Sequence, residues 1–155
     1  CYSTLMKSLI RLTYKLGYPL AKCWWFIRRP RTKGVRCIIT HGDNVLLIRH
    51  TYGSNHWTVP GGGIKPGESP YEAVLREVQE EVGLQVPTAT PLEQIYNTDE
   101  WKRDTTHFFT ATTNQTEVHI DHTEIGEAQW FSLHKLPENT PQILLRFLQA
   151  AAKKQ

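Results

Sequence analysis

The chain has 155 residues, 39% of them hydrophobic and 21% charged, with a net charge of +3. That length suits one domain with a packed core, and the composition excludes wholesale disorder. Ten glycines and nine prolines exclude collagen-like and proline-rich chains, and no internal repeat points to a solenoid or propeller.

The charge is unevenly spread. Residues 1–36 carry Lys7, Arg11, Lys15, Lys22, Arg28, Arg29, Arg31, Lys33 and Arg36 and no acid, so the rest of the chain sums to −6. A basic arm (1–32) thus precedes an acidic body (33–155). Lys7, Arg11 and Lys15 recur at i+4, while Leu5, Leu9, Leu12 and Leu16 line another face. The spacing predicts an amphipathic basic helix, kinked before Pro19. Its apolar side suits docking on the body or on a second copy of the chain, as in a homodimer. Its basic side suits nucleic acid or an anionic membrane surface. The acidic body argues against nucleic acid unless cations intervene.

No run approaches the roughly 18–20 uncharged residues needed to span a bilayer. No cleavage pattern follows an apolar run, which argues against a signal peptide. Cys1, Cys23 and Cys37 form no CxxC pair and no zinc-type spacing, which fits a reducing, cytoplasmic setting. With Cys1 first and Met6 the single methionine, the chain is expected not to begin at the native start.

From residue 33 the pattern becomes that of a mixed α/β domain. Val35–Thr40 and Val45–Arg49 read as strands, joined by turn chemistry at His41-Gly42-Asp43-Asn44. Trp57-Thr58-Val59 is a short apolar piece ended by Pro60-Gly61-Gly62-Gly63. Gln94–Asn97, Thr105–Thr112 and Ala128–Ser132 read as further strands, with a polar hairpin loop at Trp101–Asp104. A last helix is predicted over Pro141–Ala152, with Pro141 at its first position.

The best-defined helix is Pro70–Val82. Ser69 and Glu72 are spaced as a capping box, and Gly83 is placed to end it. At about 100° per residue, Tyr71, Val74, Leu75, Val78 and Val82 form the expected buried face. Glu77, Glu80 and Glu81 share an arc beside it with small Ala73. Like charges at i+3 and i+4 repel, and negative charge near a helix C-terminus opposes its dipole. Arg76 can pair with Glu80 or Glu72 but cannot neutralise all three. A solvated acidic face is one explanation. A divalent cation with oxygen ligands is the other.

The helix extends into a longer pattern: Gly62, Glu68 after five residues, then Arg76-Glu77-Val78-Gln79-Glu80-Glu81-Val82-Gly83-Leu84 after seven more. This resembles the Nudix box, with every fixed position filled. Trp57–Gly62 before it and Glu124–Phe131 after it also resemble segments of the Nudix hydrolase family. The resemblance implies an α/β/α sandwich around a mixed sheet. It implies hydrolysis of a nucleoside diphosphate linked to another group, with Mg²⁺ or Mn²⁺ as cofactor. By position it makes Glu77, Glu80 and Glu81 metal ligands, with the Gly62 carbonyl as a further donor. Arg76 would orient the glutamates, and Glu68 would support the loop or reach a metal through water. Glu80, then Glu124, are the candidate general bases.

Substrate selection is expected outside the box. Arg49 and Arg103 suit phosphate, and Trp57, Tyr52 and Trp101 suit base stacking, although Trp57 beside the glycines also reads as a core aromatic. His50, His56 and His107 have no partner by spacing and are assigned no chemistry. The proline and tyrosine that mark some subfamilies do not appear where this chain has Thr98, Asp99 and Trp101. The alternative to an enzyme is a Nudix module that senses nucleotide or binds nucleic acid or protein without turnover.

Overall fold

Continuous apolar runs in the central strands build a sheet with two covered faces. In the computed structural model, residues 31–51, 55–97 and 103–152 are described. The basic arm, and with it the expected N-terminal helix, lies outside them, as do Tyr52 and Trp101. The strands are β1 (Arg31–His41), β2 (Asn44–His50), β3 (Thr90–Asn97), β4 (Arg103–Thr112) and β5 (Ile125–Ser132). They form one sheet in the order β3-β4-β1-β2-β5. β1 and β4 run parallel, and the other neighbours are antiparallel, so the sheet is mixed.

Helix α1 (Pro70–Val82) lies on one face of the sheet and α2 (Gln142–Ala152) on the other. On the α1 side, Val35, Cys37, Ile39, Leu46 and Ile48 pack with Val74, Val78 and Val82. On the α2 side, Ile38, Val45 and Leu47 pack with Leu144 and Leu148. Adjacent residues of β1 and β2 thus serve opposite cores, as the two-residue period of a strand requires. Burial in that core pushes the Cys37 thiol up to about 12, so it stays protonated and unreactive. No helix among the described residues is long and apolar enough to cross a membrane.

The strand bounds differ from the sequence reading in instructive ways. β3 begins at Thr90 and takes in Pro91 and an irregular register before Glu93, both tolerated because β3 is an edge strand. Arg103 and Asp104, expected in a hairpin loop, belong to β4. β5 starts at Ile125 instead of Ala128, because Ile125-Gly126-Glu127 reads as polar although it pairs with β2. Trp57–Val59 is not a full strand; Thr58 makes a single bridge to Ile48. Pro141 precedes α2, and its carbonyl accepts the N–H groups of Leu144 and Leu145.

β1 and β2 pair only beside their turn, at Thr40–Val45 and His41–Asn44. Beyond that point they diverge, and the glycine loop enters the gap. Thr58 exchanges backbone bonds with Ile48 on the β2 side. On the β1 side, the Cys37 N–H donates to the Pro60 carbonyl and the Val35 N–H to the Gly62 carbonyl. The loop is therefore fixed by strand-like bonds on both flanks.

Candidate active site

α1 is set by its ends. The Ser69 hydroxyl accepts the Glu72 N–H at 3.2 Å, and the Glu72 carboxylate accepts the Ser69 N–H at 2.9 Å. At the other end Gly83 takes a left-handed conformation (φ 69°), and its N–H donates to Gln79. The buried residues are Ala73, Val74, Val78, Glu81 and Val82. The buried face is thus rotated toward the glutamates. Tyr71, expected inside, is 42% exposed in the first turn, and Ala73, expected beside the carboxylates, is fully buried.

The three glutamates consequently have different surroundings. Glu81 is 4% exposed, and its Oε2 accepts the Gly61 N–H at 2.7 Å. Burial raises its carboxyl to about 7, even though that bond and the nearby Arg36 charge pull the other way. Glu77 leans on the glycine loop: a Cβ built on Gly62 would lie 2.6 Å from its carboxylate. Glu80 is more than half exposed.

Arg76 ties the group together. Its Nη1 donates to Glu77 at 2.7 Å and to Glu80 at 2.9 Å. Its Nε and Nη2 grip both oxygens of Glu68 at 2.7 and 2.9 Å, and Nη2 also reaches the Gly63 carbonyl at 3.0 Å. The bidentate grip of Arg76 and the Lys65 N–H hold the Glu68 carboxyl down at about 2. Glu72, one of the two expected partners of Arg76, is instead occupied by the helix cap. One arginine thus aligns the helix carboxylates and staples them to the loop.

A cleft of about 740 Å³ opens above these residues. Glu77, Glu80 and Glu81 form one wall with Gly61–Gly63, and Glu124 enters from the loop before β5. That loop is tied to the end of α1, because the His119 and Asp121 N–H groups donate to the carbonyls of Val82 and Glu81. Thr51 secures it from the other side by donating its N–H to the Glu124 carbonyl. Arg36, His50 and Lys65 also line the cleft.

Among the described residues, no three carboxylate or imidazole groups converge into a closed metal cage. The donors are instead hard oxygens spread along one wall. That fits Mg²⁺ or Mn²⁺, which keep several waters and take one or two carboxylates together with substrate phosphate. The Gly62 carbonyl already accepts the Val35 N–H at 2.9 Å, and a carbonyl oxygen has a second lone pair.

The NUDIX domain family matches residues 30–151. The chain belongs to that family. A mouse diphosphoinositol polyphosphate phosphohydrolase 3-alpha is 34% identical over 92 residues, 59% of this chain and 56% of the relative. An RNA pyrophosphohydrolase of Photorhabdus laumondii is 46% identical over 50 residues, 32% of this chain and 28% of the relative. The match thus spans little more than half, or less, of the length of these curated relatives. Among solved structures, the MutT protein of Methanosarcina mazei aligns with TM-score 0.70 and 26% identity, covering 81% of this chain and 96% of that one. A C. elegans Ap4A hydrolase shares the fold at TM-score 0.65 and 21% identity, covering 80% and 96%.

Within this Nudix domain the residues expected to select substrate are dispersed. Arg49 faces Glu127 across the β2–β5 ladder and pairs with it at 2.5 Å. It also donates to Asn55 and lies over the Trp57 ring at 4.5 Å. Trp57 is 6% exposed and meets Phe131 edge-on in the α2-side core. Arg103 opens β4, in parallel register with Arg31.

Several cleft residues escaped the sequence reading, among them His50, His56, Lys65 and Arg36. His50 was given no chemistry, yet it lines the cleft. Burial, with help from Arg36, lowers it to about 4, so it is neutral at pH 7. Arg36 was placed in a strand but entered the argument only as one of the nine N-terminal cations. The missed signal was a charge between the buried Val35 and Cys37 of a central strand, where an arginine needs a reason to be.

Proposed function

We propose that this Nudix domain hydrolyses the diphosphate linkage of a nucleoside diphosphate joined to a second group, in the presence of Mg²⁺ or Mn²⁺. The observation that carries the reading is the carboxylate wall: on one helix, Glu77 and Glu80 are held by Arg76 and Glu81 is bound to the glycine loop, beneath an open cleft. The relatives' names support it, since a diphosphoinositol polyphosphate phosphohydrolase and an RNA pyrophosphohydrolase both act on phosphoanhydride bonds.

Glu77, Glu80 and Glu81 would hold the cation, with Gly62 offering its carbonyl. When bound, the cation supplies charge screening and Lewis acidity at the diphosphate. Arg76 keeps the carboxylates apart and aimed at the cleft. Glu80, the most exposed of the three, accepts a proton from the attacking water, and Glu124 is the second candidate. The water oxygen bonds to phosphorus, the bridging P–O bond breaks, and the products are a nucleotide and the phosphorylated second group.

The test is a panel of nucleoside triphosphates, dinucleoside polyphosphates, nucleotide sugars and 5′-triphosphorylated RNA, each with Mg²⁺ and Mn²⁺, with products identified by mass. Metal-dependent anhydride cleavage is expected with at least one class. Nucleotide binding without turnover on any of them would instead make the chain a binding module.

A further inference from the structure

One arginine of the cleft stands outside the Arg76 network. Arg36 lies in β1 between Val35 and Cys37, which are both buried in the α1-side core. Its Nη1 donates to the Gly61 carbonyl, and among the described residues it forms no ion pair. A guanidinium has five N–H donors and stays charged at any relevant pH. Most of that donor capacity is therefore left over at the wall of a cleft that four glutamates, Glu77, Glu80, Glu81 and Glu124, also line. Arg36, His50 and Glu81 line the same cleft, and the Arg36 charge acts on both of the others.

We propose that Arg36 contacts a phosphoryl oxygen of the bound diphosphate, giving up its bond to the Gly61 carbonyl for a charge-assisted pair with the substrate. This rests on the hydrolase reading above. Arg49, Arg76 and Arg146 are each paired with carboxylates, whereas Arg36 holds only a neutral carbonyl. That bond costs little to exchange, while a pair with phosphate is roughly twice as strong as a neutral one. The preferred substrates are then those with one phosphate at the carboxylate wall and a neighbouring one beside Gly61, within reach of the Arg36 guanidinium.

A rival role is that Arg36 only anchors Gly61, whose N–H in turn holds Glu81. The two roles predict opposite effects on metal binding. Removing a cation close to the glutamates strengthens uptake of a divalent cation if contact with phosphate is the role. Removing an anchor of Glu81 weakens it.

The experiment uses the full chain, the Arg36→Met and Arg36→Lys variants, and calorimetry with Mn²⁺ alone, then α,β-methylene-ADP in saturating Mn²⁺. For Arg36→Met we expect Mn²⁺ affinity equal to or above wild type and analogue affinity lower by about 10–100-fold, the range for a charge-assisted contact. Arg36→Lys keeps the charge without the planar fork and should lose several-fold on the analogue alone. It carries the test if Arg36→Met does not fold. Analogue affinity unchanged in the variants, or Mn²⁺ affinity lowered in parallel with it, overturns the proposal and leaves the hydrolase reading standing. Absence of Mn²⁺ or analogue uptake by the wild-type chain overturns both.

Discussion

Glu81 is a carboxylate that the fold has taken out of water, and its titration should be visible in stability. Its folded-state value of about 7 lies above the ordinary 4.5. Between those values the folded chain binds a proton that the unfolded chain has released, so this group makes metal-free stability fall as pH rises from 4.5 to 7. His50 acts in the other direction. Its value of about 4 lies below the ordinary 6.5, so its contribution is present above 6.5 and is lost as pH falls through 4. The wild-type curve mixes the two, and comparison with Glu81→Gln separates them. Thermal melts in a chelator should show Glu81→Gln gaining on wild type from pH 5 to pH 8, by on the order of 2–3 kcal/mol. A constant offset across that range would remove the buried carboxyl as its source. Glu80 differs because it is largely exposed, and its ion pairs with Arg76 and Lys65 are of the weak surface kind. Glu80→Gln also relieves repulsion from Glu77 and negative charge near the helix end. Its metal-free melting temperature should equal or slightly exceed wild type, while turnover in Mg²⁺ should fall by about a hundredfold or more if it ligates and accepts the proton. Unchanged turnover would remove it from the reaction.

At the scale of elements, the junction between the glycine loop and α1 decides whether the site exists. Gly61 and Gly62 look interchangeable in the sequence, but the structure separates them. Gly61 has φ 147°, and a Cβ there would lie 2.1 Å from the Val35 carbonyl oxygen and 2.8 Å from the Arg36 Cα. Those neighbours are backbone of a central strand and cannot move aside. The three atoms nearest a Cβ on Gly62 all belong to the Glu77 carboxylate, the far end of a flexible side chain. Gly61→Ala should therefore lower the melting temperature by several degrees or abolish soluble protein. Gly62→Ala should fold nearly as wild type and lose Mn²⁺ affinity and turnover because Glu77 is displaced. Equal melting temperatures for the two variants would contradict this. The contrast also shows what the sequence carries. The bounds of α1 were legible to the residue because Ser69, Glu72 and Gly83 are local signals that act within the helix itself. The arc occupied by the glutamates followed from period alone. What period could not supply was the angle at which the helix meets the sheet, so Tyr71 and Ala73 were exchanged between inside and outside. Of the partners of Arg76, Glu80 was legible at i+4 and the structure shows that pair, but the others were hidden. Glu68 lies eight residues away across a loop, and Glu72, at helix spacing, was already used by the cap. Arg36 was lost because charge was counted by segment and not by face.

At the scale of the molecule, the chain divides by charge where the family match begins. The match covers residues 30–151, and the described strands start at Arg31. Residues 1–30 hold six of the nine N-terminal cations and no acid, so without them the net charge of +3 becomes −3. The cleft, its carboxylate wall and its glycine loop all lie within the part that remains. Removal of residues 1–30 should therefore leave Mn²⁺ affinity and turnover of a small nucleotide within about twofold of the full chain, since every residue assigned to the site remains and long-range charge effects are screened at physiological salt. The effect on a long polyanion should be different. If the arm binds RNA, log affinity falls with log salt at about −0.7 per phosphate contact, and a six-cation loss flattens that slope by several units at most. The measurement is RNA binding by the full and shortened chains from 50 to 200 mM salt, beside turnover of a mononucleotide. A flattened slope with unchanged small-molecule turnover separates an arm that recruits substrate from a body that cleaves it. Identical slopes would return the arm to a docking role, on the body or on a second copy, and a shift in sedimentation on truncation would then distinguish those two.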